Sequence, residues 1–152
     1  MKFITGAIAV FLIVLSANVG AAERHVDPIQ NAVDERHQKM VPELMKTCDA
    51  KNTGACKDEA RMKAEQAVPS RGTKNYCQQA YGKLSPGQKK QKLRDLIVLY
   101  DELDGQSKAT RWAGKITQFD VDYEISWLMG KLGESGGDIT AARLYFGLPV
   151  GN

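Results

Sequence analysis

The chain has 152 residues, with 21 Lys plus Arg against 18 Asp plus Glu and a formal net charge of +3. That length is enough to bury a core. The near balance of charge excludes the strong basic excess of a nucleic-acid binder.

The N-terminus reads as an export signal. Lys2 is the only charged residue before Glu23, the run from Phe3 to Leu15 is apolar apart from Thr5 and Gly6, and small residues fill positions 16 to 22. A basic start, an apolar centre and a small-residue exit form a secretory signal peptide. Cleavage after Ala22 sets Gly20 and Ala22 in the peptidase pockets; cleavage after Ala21 uses Val19 and Ala21. The rival, an uncleaved anchor, needs about 20 apolar residues, and Ser16, Asn18 and Gly20 leave the apolar part too short. Membrane attachment is therefore expected only if the signal stays uncleaved. No Cys follows the run to carry a lipid. The expected organisation is a signal over 1–22 and a single helical domain over 23–152, periplasmic or secreted. Losing residues 1–22 removes one lysine and no acid, leaving 130 residues and a net charge of +2.

Helix signals dominate the rest, and no β-branched alternation bounded by turn pairs appears. Asp27-Pro28-Ile29-Gln30 opens the first helix: Asp27 caps, proline suits the first helical position, and Gln30 completes a capping box. Ile29, Val33, His37, Met40 and Leu44 follow at steps of three and four, and Pro42 is expected to kink or restart the helix. Cys48 to Gly54 read as a loop, and a short polar helix follows from about Cys56 to Ala67. Pro69-Ser70-Arg71-Gly72 ends it. Thr73 caps a third helix carrying Tyr76, Cys77, Ala80, Tyr81 and Leu84. Ser85-Pro86-Gly87-Gln88 repeats the first capping pattern, and Leu93, Leu96, Ile97, Tyr100 and Leu103 line one face of the helix behind it. A long helix is expected from about Ser107 to Leu132. One stripe is Trp112, Ile116, Phe119, Tyr123 and Trp127; the other is Val121, Ile125, Leu128 and Leu132. So wide an apolar surface predicts a central position. Asp138 caps a last short helix over Ile139 to Phe146. The fold class is all-α, a single-domain bundle of five or six helices, orthogonal or up-and-down, with one disulfide.

Three cysteines, Cys48, Cys56 and Cys77, allow one disulfide and one free thiol in an oxidising compartment. If the first two helices form an antiparallel hairpin, Cys48 and Cys56 sit at its closing ends. A third helix antiparallel to the second puts Cys77 some eight residues from Cys56, about 12 Å at ~1.5 Å per residue, beyond the ~7 Å reach of a disulfide. Cys48–Cys56 is favoured; a steep crossing would instead admit Cys56–Cys77 or Cys48–Cys77.

Sequence signals for chemistry are sparse. His25 and His37 lack any H-x₃-H or C-x₂-C spacing, so no metal is expected. Cys77 has no His placed to act as its base. Asp120, Asp122 and Glu124 cluster on the long helix; Asp120 and Glu124, one turn apart, are the carboxylates a glycan hydrolase would use, but such neighbours usually form a solvated face. Lys89, Lys90, Lys92 and Arg94 are a basic run at a helix start, where cations oppose the dipole. It reads chiefly as a solvated face, with an acidic partner or anionic lipid headgroups as the functional alternative. Gly133 and the pair Gly136-Gly137 precede an acidic cap, which repels phosphate. Residues Gly137 to Tyr145 resemble the first helix of a tetratricopeptide-type repeat; with no second copy at a period of about 34 residues, the resemblance implies no repeat architecture.

The functional expectation is a small exported protein acting by protein binding. It would be an inhibitor or immunity-type partner of another exported protein, or an accessory of an envelope machine, and would need no cofactor. The expected contacts are Tyr76 and Tyr81, the run Lys89, Lys90, Lys92 and Arg94, and the glycine-rich C-terminal segment, with Cys77 available for a homodimer. The alternatives are a cell-wall or glycan hydrolase using Asp120 or Glu124, and a periplasmic holdase chaperone.

Overall fold

A computed structural model describes residues 26–48, 52–103, 114–134 and 137–150. The expected signal segment, His25, the start of the long helix and Trp112 lie outside the described residues. The architecture is all-helical: α1 (Pro28–Met45), α2 (Thr53–Ala67), α3 (Lys74–Tyr81), α4 (Pro86–Glu102), α5 (Gln118–Lys131) and α6 (Ile139–Tyr145), with no strand among the described residues. No described helix is long and apolar enough to cross a membrane.

Capping chemistry sets the helix starts. The Asp27, Thr73, Ser85, Thr117 and Asp138 side chains each accept a backbone N–H three residues on, each contributing about 1 kcal/mol. Ser85 and Gln88 form the expected capping box. The box at Asp27 is only half made. Asp27 accepts from the Gln30 N–H, but the Gln30 side chain turns away to Asp34 and to the Arg71 N–H. Two helices differ from expectation. α1 runs through Pro42 to Met45 as one element, because one lost hydrogen bond does not end a helix whose other turns are intact. α5 starts at Gln118 and the described residues 114–117 before it are not helical, so no single helix runs on to Leu132: Thr117 and Asp120 form a second capping box that the apolar stripe had concealed.

The apolar core lies in α3 to α6. Leu93, Leu96 and Ile97 of α4, with Leu103 just past its end, meet Val121, Ile125, Leu128 and Met129 of α5, with Cys77, Tyr81, Ile116 and Ala142 packed around them. Tyr76 and Tyr81 meet edge-to-face with centroids 5.8 Å apart. α5 buries Val121, Ile125 and Leu128 of its second stripe, with Leu132 half-buried just past its end, but Phe119 (74 % exposed) and Tyr123 of the first remain in solvent. α1 and α2 form a separate antiparallel hairpin that packs chiefly on itself. They bury only Val33, Ala60, Ala64 and Gln30, and none of these belongs to the main core. The Cys48–Cys56 disulfide, with Cα atoms 6.0 Å apart, closes the far end of this hairpin.

Candidate functional site

Two features stand out: a buried polar cluster at the base of the hairpin, and an open groove along it.

The cluster begins in the loop between α2 and α3. Glu65 accepts from the Ser70 N–H and hydroxyl, both at 2.7 Å, and the Thr73 hydroxyl donates to the Ser70 carbonyl. Gly72 has φ +74°, and a Cβ there would lie 2.6 Å from the Asp120 Cα, so the loop presses directly on the first turn of α5. This places the Arg71 side chain inside the protein. Its Nε and Nη2 donate to the two oxygens of Glu124 at 2.9 and 2.8 Å, and its Nη1 donates to Asp27 at 2.7 Å. The Tyr81 hydroxyl donates to Glu124 at 2.5 Å, and the Gly72 N–H adds a fourth bond at 3.1 Å. A carboxylate offers about four lone-pair sites, and all four on Glu124 are filled. From α1, Gln30 accepts the Arg71 N–H at 3.0 Å, Asp34 accepts the Gly114 N–H, and the Asp27 N–H donates to the Gly114 carbonyl at 2.9 Å.

The electrostatics follow from burial. Burial disfavours the Arg71 charge, but the hydrogen bonds and negative charge of Glu124 outweigh it and hold the guanidinium above its ordinary pKa. Burial, reinforced by the Glu124 charge, raises Tyr81 well above the usual phenol range and pushes the Cys77 thiol up to about 12. The result is a satisfied clamp joining α1, the α2–α3 loop, α3 and α5.

This arrangement corrects several sequence-based expectations. Glu124 is fully buried rather than on a solvated face. Asp120 bonds to the Thr117 N–H and hydroxyl, and Asp122 accepts the Ile139 N–H at 3.0 Å, so the three acids serve three separate structural roles. Burial, ahead of the opposing Ile139 N–H, raises the Asp122 carboxyl pKa. Tyr76 and Tyr81 are buried, 8 % and 5 % exposed. Cys77 is a free thiol with no exposed surface, which removes it as a cross-chain link. The basic run stays largely in solvent, as a solvated face would, and also makes contacts within the molecule. Lys89 donates to the Leu84 carbonyl near the α3 end, Lys92 pairs with Asp95, and Lys90 and Arg94 lie over the Tyr145 and Phe146 rings at 5.4 and 4.7 Å. His37 bonds the Val68 carbonyl at 2.6 Å. Sequence reasoning missed Arg71 altogether: an arginine between Ser and Gly in a loop carries no local sign that it will be buried.

The groove, of about 800 Å³, runs between α1 and α2 and is lined by Val41, Pro42, Met62, Gln38, Lys57 and Arg61 among others. Met62 is 60 % exposed. Lys57 and Arg61 stand one turn apart on α2, with no carboxylate partner among the described residues. Glu65, one turn beyond Arg61, is taken by Ser70. Pro42 has no N–H for the Gln38 carbonyl four residues back, so that carbonyl lacks its helix donor. No group of three or more potential metal ligands occurs among the described residues. Comparison of the chain with protein-family models, with curated proteins and with solved structures finds no match.

Proposed function

We propose that this chain is exported and works by binding another exported protein, as an inhibitor or immunity-type partner or as an accessory of an envelope machine. The observation that carries the reading is the division of labour between cluster and groove. The ionisable groups that converge in the interior saturate one another, with Glu124 holding four donors and no solvent contact. The α1–α2 hairpin, by contrast, turns apolar and cationic side chains outward along a groove. A general acid must reach its substrate's proton, and Glu124 has no exposed surface from which to do so. Polar, partly apolar grooves on a rigid element suit protein recognition.

The test has two parts. Fractionation of cells making the tagged full chain, with N-terminal sequencing, should find a product beginning near Glu23 outside the cytoplasm. Affinity capture from an envelope extract, followed by reconstitution of the purified pair, should give saturable binding of fixed stoichiometry by calorimetry. A chain that stays cytoplasmic, or captured proteins that fail to bind when purified, would refute the proposal.

A further inference from the structure

Resting on the binding reading above, we propose that the groove between α1 and α2 receives an acidic amphipathic helix of the partner, which lies along the hairpin as a third helix.

Two antiparallel helices bury only the stripe where they touch. Here that stripe is Val33, Ala60 and Ala64, small side chains that let the backbones approach closely. Val41, Pro42 and Met62 are left beside it, in a furrow of the shape a third helix fills with its own apolar stripe. The sign of the partner follows from the rim. Lys57 and Arg61 are cations one helical turn apart, and neither is neutralised by a carboxylate among the described residues. The lining acid Glu65 already accepts two hydrogen bonds from Ser70. The α1 side offers Gln38 and His37 as its polar lining, and no carboxylate. Two carboxylates at i and i+4 on an incoming helix repeat the same ~5–6 Å spacing as this cationic pair. A basic helix would meet like charge, which is costly at an interface. The Gln38 carbonyl, deprived of its helix donor by Pro42, adds an acceptor for a hydroxyl or amide on the partner. The disulfide holds the two walls together before binding, so little ordering is lost on association.

The test uses the oxidised mature chain and two synthetic amphipathic helical peptides with one leucine stripe, their polar faces being glutamate in one and lysine in the other. Fluorescence anisotropy should show the glutamate peptide binding at least tenfold more tightly. Raised ionic strength should weaken it. Charge reversal by Lys57→Glu with Arg61→Glu should invert the preference, and Met62→Ser should weaken both peptides. All three positions are exposed, and unchanged circular dichroism will verify that the variants fold. Equal binding of the two peptides, or indifference to the charge reversal, would overturn the proposal. So would sedimentation showing a concentration-dependent dimer that Met62→Ser abolishes, which assigns the groove to a second copy of this chain. A reconstituted partner that binds the charge-reversed variant unchanged removes the groove but leaves the binding reading standing. Discrimination between the peptides with no reconstituted partner does the reverse.

Discussion

Replacing Glu124 with Gln probes the clamp at its centre with almost no change of shape. Glutamine keeps one acceptor oxygen, which can still receive two of the four donors, Arg71 Nε and the Gly72 N–H. Its amide nitrogen then faces Arg71 Nη2 and the Tyr81 hydroxyl. The hydroxyl can rotate and accept, but the guanidinium N–H cannot, so one buried donor is stranded and the Arg71 charge keeps only Asp27 as its counter-ion. Breaking a buried pair in this way costs about 3–5 kcal/mol, a large part of the ~5–15 kcal/mol that holds a domain folded. Tyr81→Phe removes a single bond to a charged acceptor and should cost about 1.5–3 kcal/mol. Asp27→Asn, which preserves the cap, should cost less than Glu124→Gln. Arg71→Met combined with Glu124→Met should cost about 2 kcal/mol less than the sum of the two single changes, because the double change also removes the Glu124 carboxylate that Arg71→Met alone leaves unpaired, while Asp27 loses its partner in both. Urea unfolding of the chain at neutral pH, followed by circular dichroism, measures all of these. A loss below about 1 kcal/mol for Glu124→Gln, or strict additivity in the double variant, would refute the clamp as the join between hairpin and core.

Four further outcomes follow from the packing and the disulfide. With its thiol raised to about 12 and fully buried, Cys77 should resist alkylation at neutral pH until the chain unfolds. The folded thiol also holds its proton to about 12, whereas an unfolded one releases it near ~8.5. Across that window the unfolded state binds fewer protons, so stability should fall as pH rises, by up to about 1.4 kcal/mol per pH unit; Cys77→Ala should flatten this alkaline limb, and an unchanged slope would count against it. Replacing Cys48 and Cys56 by Ala should cost about 2–3 kcal/mol in thermal or urea unfolding, as expected for so short a closed loop. Gly72→Ala sets a Cβ against the Asp120 backbone at a positive φ and should cost more than about 2 kcal/mol; near-neutral behaviour would mean the loop can move off α5.

Local rules carried the sequence reading where structure is local. The caps at Asp27, Thr73, Ser85 and Asp138, the buried face of α4 and the Cys48–Cys56 pairing all follow from spacing within one or two elements. The reading failed where a residue's environment is set from far along the chain. Glu124 alternates with Asp120 and Asp122 in what looks like a solvated face; its partners Arg71, Gly72 and Tyr81, the farthest 53 positions away, show it to be inside. Tyr76 and Tyr81 resemble surface anchors until α5 covers them. The groove escaped notice for a related reason: Val41, Pro42 and Met62 sit on different helices, and α2 by itself reads as merely polar.

The hairpin and the core are held together by unlike means, and this fixes which should open first. The core is an apolar cluster spanning α3 to α6. The hairpin is tied to the rest chiefly through hydrogen bonds that Asp27, Gln30 and Asp34 accept from Arg71 and Gly114. Such bonds are directional and set an angle well, but each adds only about 0.5–3 kcal/mol net. Apolar burial, at roughly 25 cal/mol per Å², favours the core further with every side chain it encloses. The hairpin should therefore detach at a lower free energy than that of global unfolding, staying helical under its disulfide. Native-state hydrogen exchange gives the measurement: amides of α1 and α2 should exchange at a common free energy below that of α4 and α5, and Glu124→Gln should lower the hairpin value most. If α1 amides are as protected as those of α5, the hairpin is an integral part of the core, and the picture of a stapled arm pinned at its base fails.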